Sequence, residues 1–244
     1  MIKFSGRGLL LDIEGTTASV AFVYDVMFPF VRRELDAYLQ AAWKTPALEP
    51  VLRYIAQDAG ADTFAAWTQD DATEQAKQQR VSAEITRLMD NDIKATGLKQ
   101  LQGLIWKSGF DSGELVAAVF DDVPPALVRW NEAGKDVRIY SSGSVAAQKM
   151  FFGHTNHGDL LASFRGHYDT TTGPKKEAAS YRVIASDYGC DASEILFLSD
   201  IVAELDAARE AGMQTGLCYR VGNAPVENGN GHPGIESFDQ VSIG

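Results

Sequence analysis

The sequence predicts a doubly wound α/β core with a mostly parallel sheet, interrupted after its first strand by an all-helical domain. Three observations predict it. Short apolar runs alternate with helical patterns along most of the chain, which is the rhythm of parallel βαβ units. Between Val20 and Thr96 that rhythm gives way to successive helical patterns in which Gly60 is the only glycine. Acids, hydroxyls and a lysine then recur where the apolar runs end, and in open α/β sheets the carboxyl ends of the strands are where ligands bind.

The first strand is read in "GLLLDI", which starts at Gly8. In the segment that follows, Val26, Phe30 and Val31, then Leu35, Tyr38 and Leu39 trace one apolar face at helical spacing, with Arg32, Arg33 and Asp36 opposite. The run "ATEQAKQQRVSAEITRLMDND" is a second such helix, and the stretch from Gly97 to Glu114 is expected to carry the chain back to the sheet. Further strands are expected in "VRIYSS", "ILFLSD" and "TGLCYR". The helices between them are expected in "PPALVRWNEAG", "SVAAQKMFF", "KKEAASYRVIASDYG" and "VAELDAAREAG". The tail from Gly222 to Gly234 is rich in turn formers and reads as a surface loop. The expected division is a core of residues 1–19 and 115–244, with 20–114 inserted. An insertion at that point is placed to act as a lid over the strand ends.

Composition narrows the function. Of the 244 residues, 22 are Lys or Arg and 33 are Asp or Glu, for a formal net charge of -11. A nucleic-acid backbone meets a repulsive mean field and no basic run to offset it, so nucleic acid is not an expected partner. A small anion stays open, because a metal ion and one or two cations reverse the field inside a pocket. Cys190 and Cys218 form no CxxC pattern and read as reduced thiols. Without a signal-peptide pattern or a long apolar run, the expectation is a cytoplasmic protein that does not engage a membrane. No coiled coil or apolar surface stripe is evident, which makes a monomer the expectation.

Four strand ends carry chemistry. Asp12 closes the first apolar run, and Glu14 stands at the spacing that returns a side chain to the same side of an extended backbone. Two carboxyls on one cavity divide labour, one as nucleophile or metal ligand and one as proton donor. Ser141 and Ser142 end "VRIYSS" ahead of a helix opened by Ser144, a setting that offers hydroxyl and N–H donors to an anion. Lys175 follows Pro174 at an expected helix start, where a lysine opposes the helix dipole and calls for compensation, by a bound anion or simply by solvent. Asp200 ends "ILFLSD", with Glu204 and Asp206 in the helix beyond, and an acid so placed suits Mg²⁺. Singly, each has an ordinary structural reading: turn residue, N-cap, solvated lysine, helix cap. Together, in this order and each at a strand end, they are an inventory for metal-assisted phosphoryl transfer.

The motifs "DIEGT", "YSSGS", Lys175 and "LSD" resemble the four motifs of the haloacid dehalogenase superfamily. A narrower resemblance extends over nearly the whole chain. "DIEGTT", "FVYDVMFPF", "LQGLIWKSGFDSGEL", "YSSGSVAAQKMFFGH" and "SYRVIASDYG" with "ILFLSDI" are similar to the enolase-phosphatase family of the methionine salvage pathway, in which Glu two residues after the nucleophile is characteristic. The resemblance implies a haloacid dehalogenase-like Rossmannoid core with an inserted helical cap. It implies a substrate that is a small phosphorylated diketone, 2,3-diketo-5-methylthiopentyl 1-phosphate, enolised and then dephosphorylated to the acireductone. It further implies Asp12 as nucleophile and Mg²⁺ held by Asp12, by the Glu14 carbonyl and by Asp200, roles that agree with reading Glu14 as the acid and base that protonates the leaving oxygen and then activates water, and as the candidate base for enolisation. Ser141, Ser142 and Lys175 would hold the phosphoryl group. Three positions depart from the family pattern: Tyr24 stands in place of a lysine, Pro174 in place of a histidine, and Val221 in place of a proline.

Other classes and residues fit less well. A hydrolytic dehalogenase needs neither Mg²⁺ nor a leaving-group acid, which leaves Glu14 and Asp200 without work, and a phosphometabolite sensor has no chemical use for Asp12 and Glu14 together. His154 and His157 have no third ligand nearby and read as a polar helix end. Trp106 and Lys107 are placed to line the pocket from the lid side, but a Trp in an apolar stripe is more often core, and both stay out of the expected site; the aromatic and Met residues of "FVYDVMFPF" suit a thioether and helical packing equally well.

Overall fold

The computed structural model describes all 244 residues, Met1–Gly244. By the density of its internal contacts the chain forms two compact units, one of Met1–Val23 with Val116–Gly244 and the other of Tyr24–Leu115. The chain opens with strands β1 (Ile2–Phe4) and β2 (Gly8–Leu11) and a single turn of helix, α1 (Val20–Phe22), capped by Ser19 through Ala21 N–H at 3.1 Å. This turn belongs to the first unit because Phe22 packs edge-on against Phe151, their centroids 5.8 Å apart. A π-helical stretch, Val23–Met27, follows it.

The unit Tyr24–Leu115 is built of helices: α2 (Phe28–Ala42), α3 (Glu49–Asp58), α4 (Phe64–Trp67), α5 (Glu74–Asp90) and α6 (Thr96–Asp111). Prolines at their first turns start α2 and α3, where a missing N–H costs nothing. Thr63 and Thr73 cap α4 and α5 by accepting from Ala66 and Ala76 N–H, each at 3.1 Å. The helices bury one stripe each: Phe30, Val31, Leu35 and Leu39 on α2, Val81, Ile85 and Leu88 on α5. The stretch expected to return the chain to the sheet is α6, which buries Leu98, Leu101 and Ile105 and packs on α3 and α2, and the first unit resumes at Val116. Apolar residues three and four apart need a helical partner, which the helical unit supplies.

The other unit continues with α7 (Val123–Glu132), β3 (Asp136–Tyr140), α8 (Val145–Gly153), β4 (Gly166–Tyr168), α9 (Ala178–Tyr188) and β5 (Ile195–Ser199). It ends with α10 (Val202–Glu210), β6 (Gln214–Cys218), β7 (Gly234–Ile235) and β8 (Val241–Ile243). Six strands make one sheet in the order β4-β3-β2-β5-β6-β7, and every neighbouring pair is parallel. The two chain ends pair separately, β1 beside β8.

All four residues of β2 and all five of β5 are buried, as expected of central parallel strands covered on both faces. Leu9 lies opposite Val137 on one side and Leu196 on the other. From β2 the chain builds outward through β3 and β4, then returns to the other flank of β2 with β5 and proceeds to β6 and β7. That reversal puts the topological switch point between β2 and β5, and the crevice at their carboxyl ends is where an open α/β sheet binds its ligand. No helix is long and apolar enough to cross a membrane.

Candidate active site

Asp12 is the first residue past β2, and its N–H still bonds Leu198 O at 3.0 Å on the neighbouring β5. The backbone then folds into a tight loop in which the N–H groups of Thr16, Thr17 and Ala18 all point at Ile13 O. The expectation that Glu14 shares a side with Asp12 rested on an extended backbone, and the chain has already left the strand at Ile13. Glu14 is half-buried and still acts electrostatically at this edge, since its charge adds to the upward push on the Asp200 carboxyl. Gly15 has φ +70°, and a Cβ there would lie 2.3 Å from Asp200 Oδ2. Glycine therefore serves both the turn and the space Asp200 occupies.

The Asp12 carboxylate, 4% exposed, is held from three directions. Ile13 N–H donates to Oδ1 at 2.8 Å, Ser199 Oγ donates to Oδ2 at 3.2 Å, and Lys175 Nζ stands 2.7 Å from Oδ1. Lys175 Nζ also stands 2.7 Å from Glu204 Oε2, and Ser199 Oγ lies 3.2 Å from the same oxygen. Burial alone would lower the lysine's pKa, but the Asp12 and Glu204 charges outweigh it and the ammonium ends above its ordinary value. Burial, and then the charge of Asp12, raises the Glu204 carboxyl above the usual range.

Lys175 is not at a helix start. It lies in a turn, and α9 begins only at Ala178. The compensation it needs comes from two carboxylates and not from the geometry of a helix end. Glu204, absent from the set of expected site residues, thus completes the cluster. Its signal was its place four residues beyond Asp200, in the first turn of α10, which directs a helical side chain back toward the strand end. Asp206, two residues on, leaves the site and joins Arg209, Asn230 and His232 at the tail loop.

Asp200 does not cap α10: the residue at that position is Ile201, without a side-chain bond, and Ile201 N–H goes to Ser199 Oγ at 3.2 Å. Asp200 Oδ1 is buried and has no hydrogen-bond partner. Burial first, and the Asp12 charge next, push this carboxyl up to about 7. Asn223 Nδ2 ties the loop after β6 to Gly15 O at 2.9 Å and Cys218 O at 3.3 Å, and its own buried Oδ1 is unpartnered.

Ser141 and Ser142 reach the same sheet edge, since Ile139 on β3 pairs with Leu11 on β2. Ser141 is buried and its Oγ accepts Gly143 N–H at 3.2 Å, whereas Ser142 is exposed. The cap of α8 is Ser144, which accepts from Ala147 N–H at 3.2 Å, so Ser142 is free of that duty. His154 and His157 are engaged elsewhere, with Met150 O at 2.9 Å and Asp121 Oδ1 at 3.1 Å.

The donors suit a hard divalent cation. Asp12 and Glu204 pair with one buried cation, Lys175, the charges of Asp12 and Glu14 both act on Asp200, and the buried Asp200 Oδ1 is left without a partner. No three His, Cys, Asp or Glu side chains form a cage. Two carboxylates and a backbone carbonyl match the habit of Mg²⁺, which binds through one or two carboxylates and retains water or phosphate oxygens.

A family model for haloacid dehalogenase-like hydrolases matches residues 7–212. An Enolase-phosphatase E1 of Sorangium cellulosum is 42% identical over 242 residues, covering 99% of this chain and all of that one. That of Branchiostoma floridae is 43% identical over 250 residues, covering 96% of this chain and 83% of the other. The chain belongs to the enolase-phosphatase family of haloacid dehalogenase-like hydrolases. Among solved structures, the UTR4 protein of Saccharomyces cerevisiae is similar with a TM-score of 0.78 and 34% identity, covering 97% of this chain and 100% of that one. An L-2-haloacid dehalogenase, at 18% identity and a TM-score of 0.54, covers 97% of this chain and 96% of its own, and shares the fold.

None of Tyr24, Pro174 and Val221 contributes a side chain to the ion-paired cluster of Asp12, Lys175 and Glu204. Pro174 keeps the carbonyl that accepts Ser180 Oγ at 2.8 Å. Val221 is fully on the surface, while its neighbour Arg220 is buried and bonds Thr16 O at 3.0 Å and Asp122 Oδ2 at 2.9 Å. Tyr24 is exposed and packs edge-on against Phe28 at 5.6 Å.

Proposed function

We propose that this protein is a Mg²⁺-dependent enolase-phosphatase of L-methionine salvage. It converts 2,3-diketo-5-methylthiopentyl 1-phosphate through an enol phosphate to the acireductone and inorganic phosphate. The observation that carries the phosphotransfer reading is the buried Asp12 carboxylate at the switch point with Lys175 Nζ at 2.7 Å. The family relationship, at 42 to 43% identity over nearly the whole chain, supports the choice of substrate. The all-helical unit Tyr24–Leu115 is the inserted cap of this family's plan.

Asp12, the Glu14 carbonyl and Asp200 would hold Mg²⁺, which when bound supplies positive charge against the phosphoryl and ketone oxygens of the substrate. Glu14 removes the proton from the carbon between phosphate ester and ketone while the ketone oxygen takes a proton from solvent, giving the enol. Asp12 then attacks phosphorus, the P–O ester bond breaks, and Glu14, carrying its proton, delivers it to the departing oxygen. Glu14 next takes a proton from water, whose oxygen attacks the aspartyl-phosphate, releasing phosphate and restoring Asp12, and Glu14 then returns that proton to solvent. An ammonium has three donors. Two of those on Lys175 go to Asp12 and Glu204, leaving one for a phosphoryl oxygen beside the hydroxyls of Ser141 and Ser142. These groups act on charge that spreads over the equatorial oxygens as the phosphoryl group transfers.

The test is a stopped-flow absorbance trace with the diketo phosphate and Mg²⁺, with free phosphate recorded in parallel and EDTA as control. An enol signal that rises and decays as phosphate appears, both abolished by EDTA, is expected. Absence of both signals with Mg²⁺ present would overturn the substrate assignment.

A further inference from the structure

Ahead of α9, three consecutive carbonyls each accept a hydrogen bond from a different side-chain hydroxyl. Tyr140 Oη donates to Gly173 O at 2.9 Å, Ser180 Oγ to Pro174 O at 2.8 Å, and Tyr181 Oη to Lys175 O at 2.7 Å. The segment has no helical or strand ladder of its own, so these bonds stand in for one. The approach is close: Gly173 has φ +151°, and a Cβ there would lie 2.2 Å from Ser180 Oγ.

The donors are themselves fixed. Tyr140 and Tyr181 are fully buried and pack edge-on at 5.5 Å, and Tyr181 lies 5.2 Å from Phe197 of β5. Placing two phenol hydroxyls in this interior has a desolvation cost that phenylalanine would avoid. What the hydroxyls secure is the backbone from Gly173 to Lys175. A lysine reaches its target through four flexible methylenes, so the position of its ammonium depends on where its backbone is anchored.

We propose that Tyr140, Ser180 and Tyr181 are positioning residues for Lys175: a three-hydroxyl clamp that sets the lysine backbone so that its ammonium stands between Asp12 and Glu204 with one donor directed to the phosphoryl group. The inference rests on the phosphotransfer reading above. The clamp uses the carbonyl of Pro174 and asks nothing of its side chain.

The test is a double-mutant cycle on the full-length chain with Mg²⁺ and the diketo phosphate, phosphate release being measured in single turnover with enzyme in excess. Tyr181→Phe and Ser180→Ala are each made in the native background and in Lys175→Ala, with circular dichroism and Tm recorded for all. In the native background Tyr181→Phe is expected to slow phosphate release about tenfold, a loss in keeping with misplacement of a catalytic group by a fraction of an ångström. In the Lys175→Ala background the same change is expected to alter the rate by less than about twofold, because its partner is already gone. Ser180→Ala is expected to follow the same pattern with a smaller loss, and it carries the test if Tyr181→Phe does not fold. Equal losses in both backgrounds, or native rates in both variants, overturn the clamp while phosphotransfer by the native enzyme stands. A native enzyme that releases no phosphate overturns the underlying reading and the clamp with it.

Discussion

Lys175 Nζ lies 2.7 Å from Asp12 Oδ1, with both side chains under a tenth exposed, and the same ammonium lies 2.7 Å from Glu204. One cation therefore holds together two buried carboxylates that would otherwise repel. Removing it, as in Lys175→Met, leaves two largely buried carboxylates without their cation. Breaking a buried pair from one side costs about 3–5 kcal/mol. Loss of the cation proposed to face the phosphoryl oxygens is expected to lower kcat by about 10²–10³. Urea unfolding and phosphate release measure the two effects separately, and native values of both would refute this account of the lysine.

Glu14→Gln tests whether one carboxylate serves both chemical stages. The amide neither takes the carbon-bound proton nor protonates the leaving oxygen, so enolisation and phosphate release are both expected to fall by about 10²–10⁴. Rapid-mixing absorbance reads the first and a coupled phosphate assay the second. Full enolisation with phosphate release lost would place the enolising base elsewhere.

Much of this site was legible in the one-dimensional pattern because a parallel sheet displays its chemistry at strand ends. Asp12, Ser141 and Asp200 each follow an apolar run, and the run itself says where the strand stops. Lys175 could be named from its motif, but its setting could not. Pro174 suggests a helix start, whereas hydroxyls from β3 and α9 hold the chain in a turn. Glu204 and Asp206 are neighbours on the same helix, and only the fold decides that one turns inward to Lys175 while the other joins His232. The strands that escaped notice, β1, β4, β7 and β8, are two or three residues long. A run that short carries no period, and its pairing is set by partners distant in sequence.

Asp200 gives a stability signature of the cation-free protein. Its carboxyl is pushed up to about 7 in the folded chain, above the ordinary value of about 4 that it regains on unfolding. Between those values the folded state holds a proton that the unfolded state has released. The stability this proton contributes is therefore full below about pH 4 and is lost as the pH rises to about 7. In EDTA, Tm is expected to fall across that window relative to Asp200→Asn, which has no proton to lose. At pH 8, Mg²⁺ is expected to raise the Tm of the native chain in a concentration-dependent way, by about 2.7 kcal/mol of stability at a hundredfold excess over Kd. The Asn variant is expected to respond far less. Parallel pH profiles of the two proteins in EDTA would refute the burial argument for Asp200.

Gly15→Ala tests the geometry that brings the β2 and β5 edges together. Its φ of +70° disfavours any L side chain, and the added methyl would sit 2.3 Å from Asp200 Oδ2 and 3.0 Å from Asn223 Oδ1. Backbone strain of this kind costs about 1–3 kcal/mol. The methyl also displaces the acid proposed as a metal ligand, so the strain is expected to appear with a functional signature that strain alone does not produce. Tm is expected to fall by several degrees, and the Mg²⁺ concentration giving half-maximal activity is expected to rise about tenfold or more, an effect comparable to losing the support of a metal ligand. Asn223→Ala releases Gly15 O and Cys218 O without adding bulk beside Asp200, and is expected to lower Tm with a smaller change in Mg²⁺ requirement. If Gly15→Ala lost stability but bound Mg²⁺ like the native chain, the close approach of Asp200 to this turn would have no role in holding the cation.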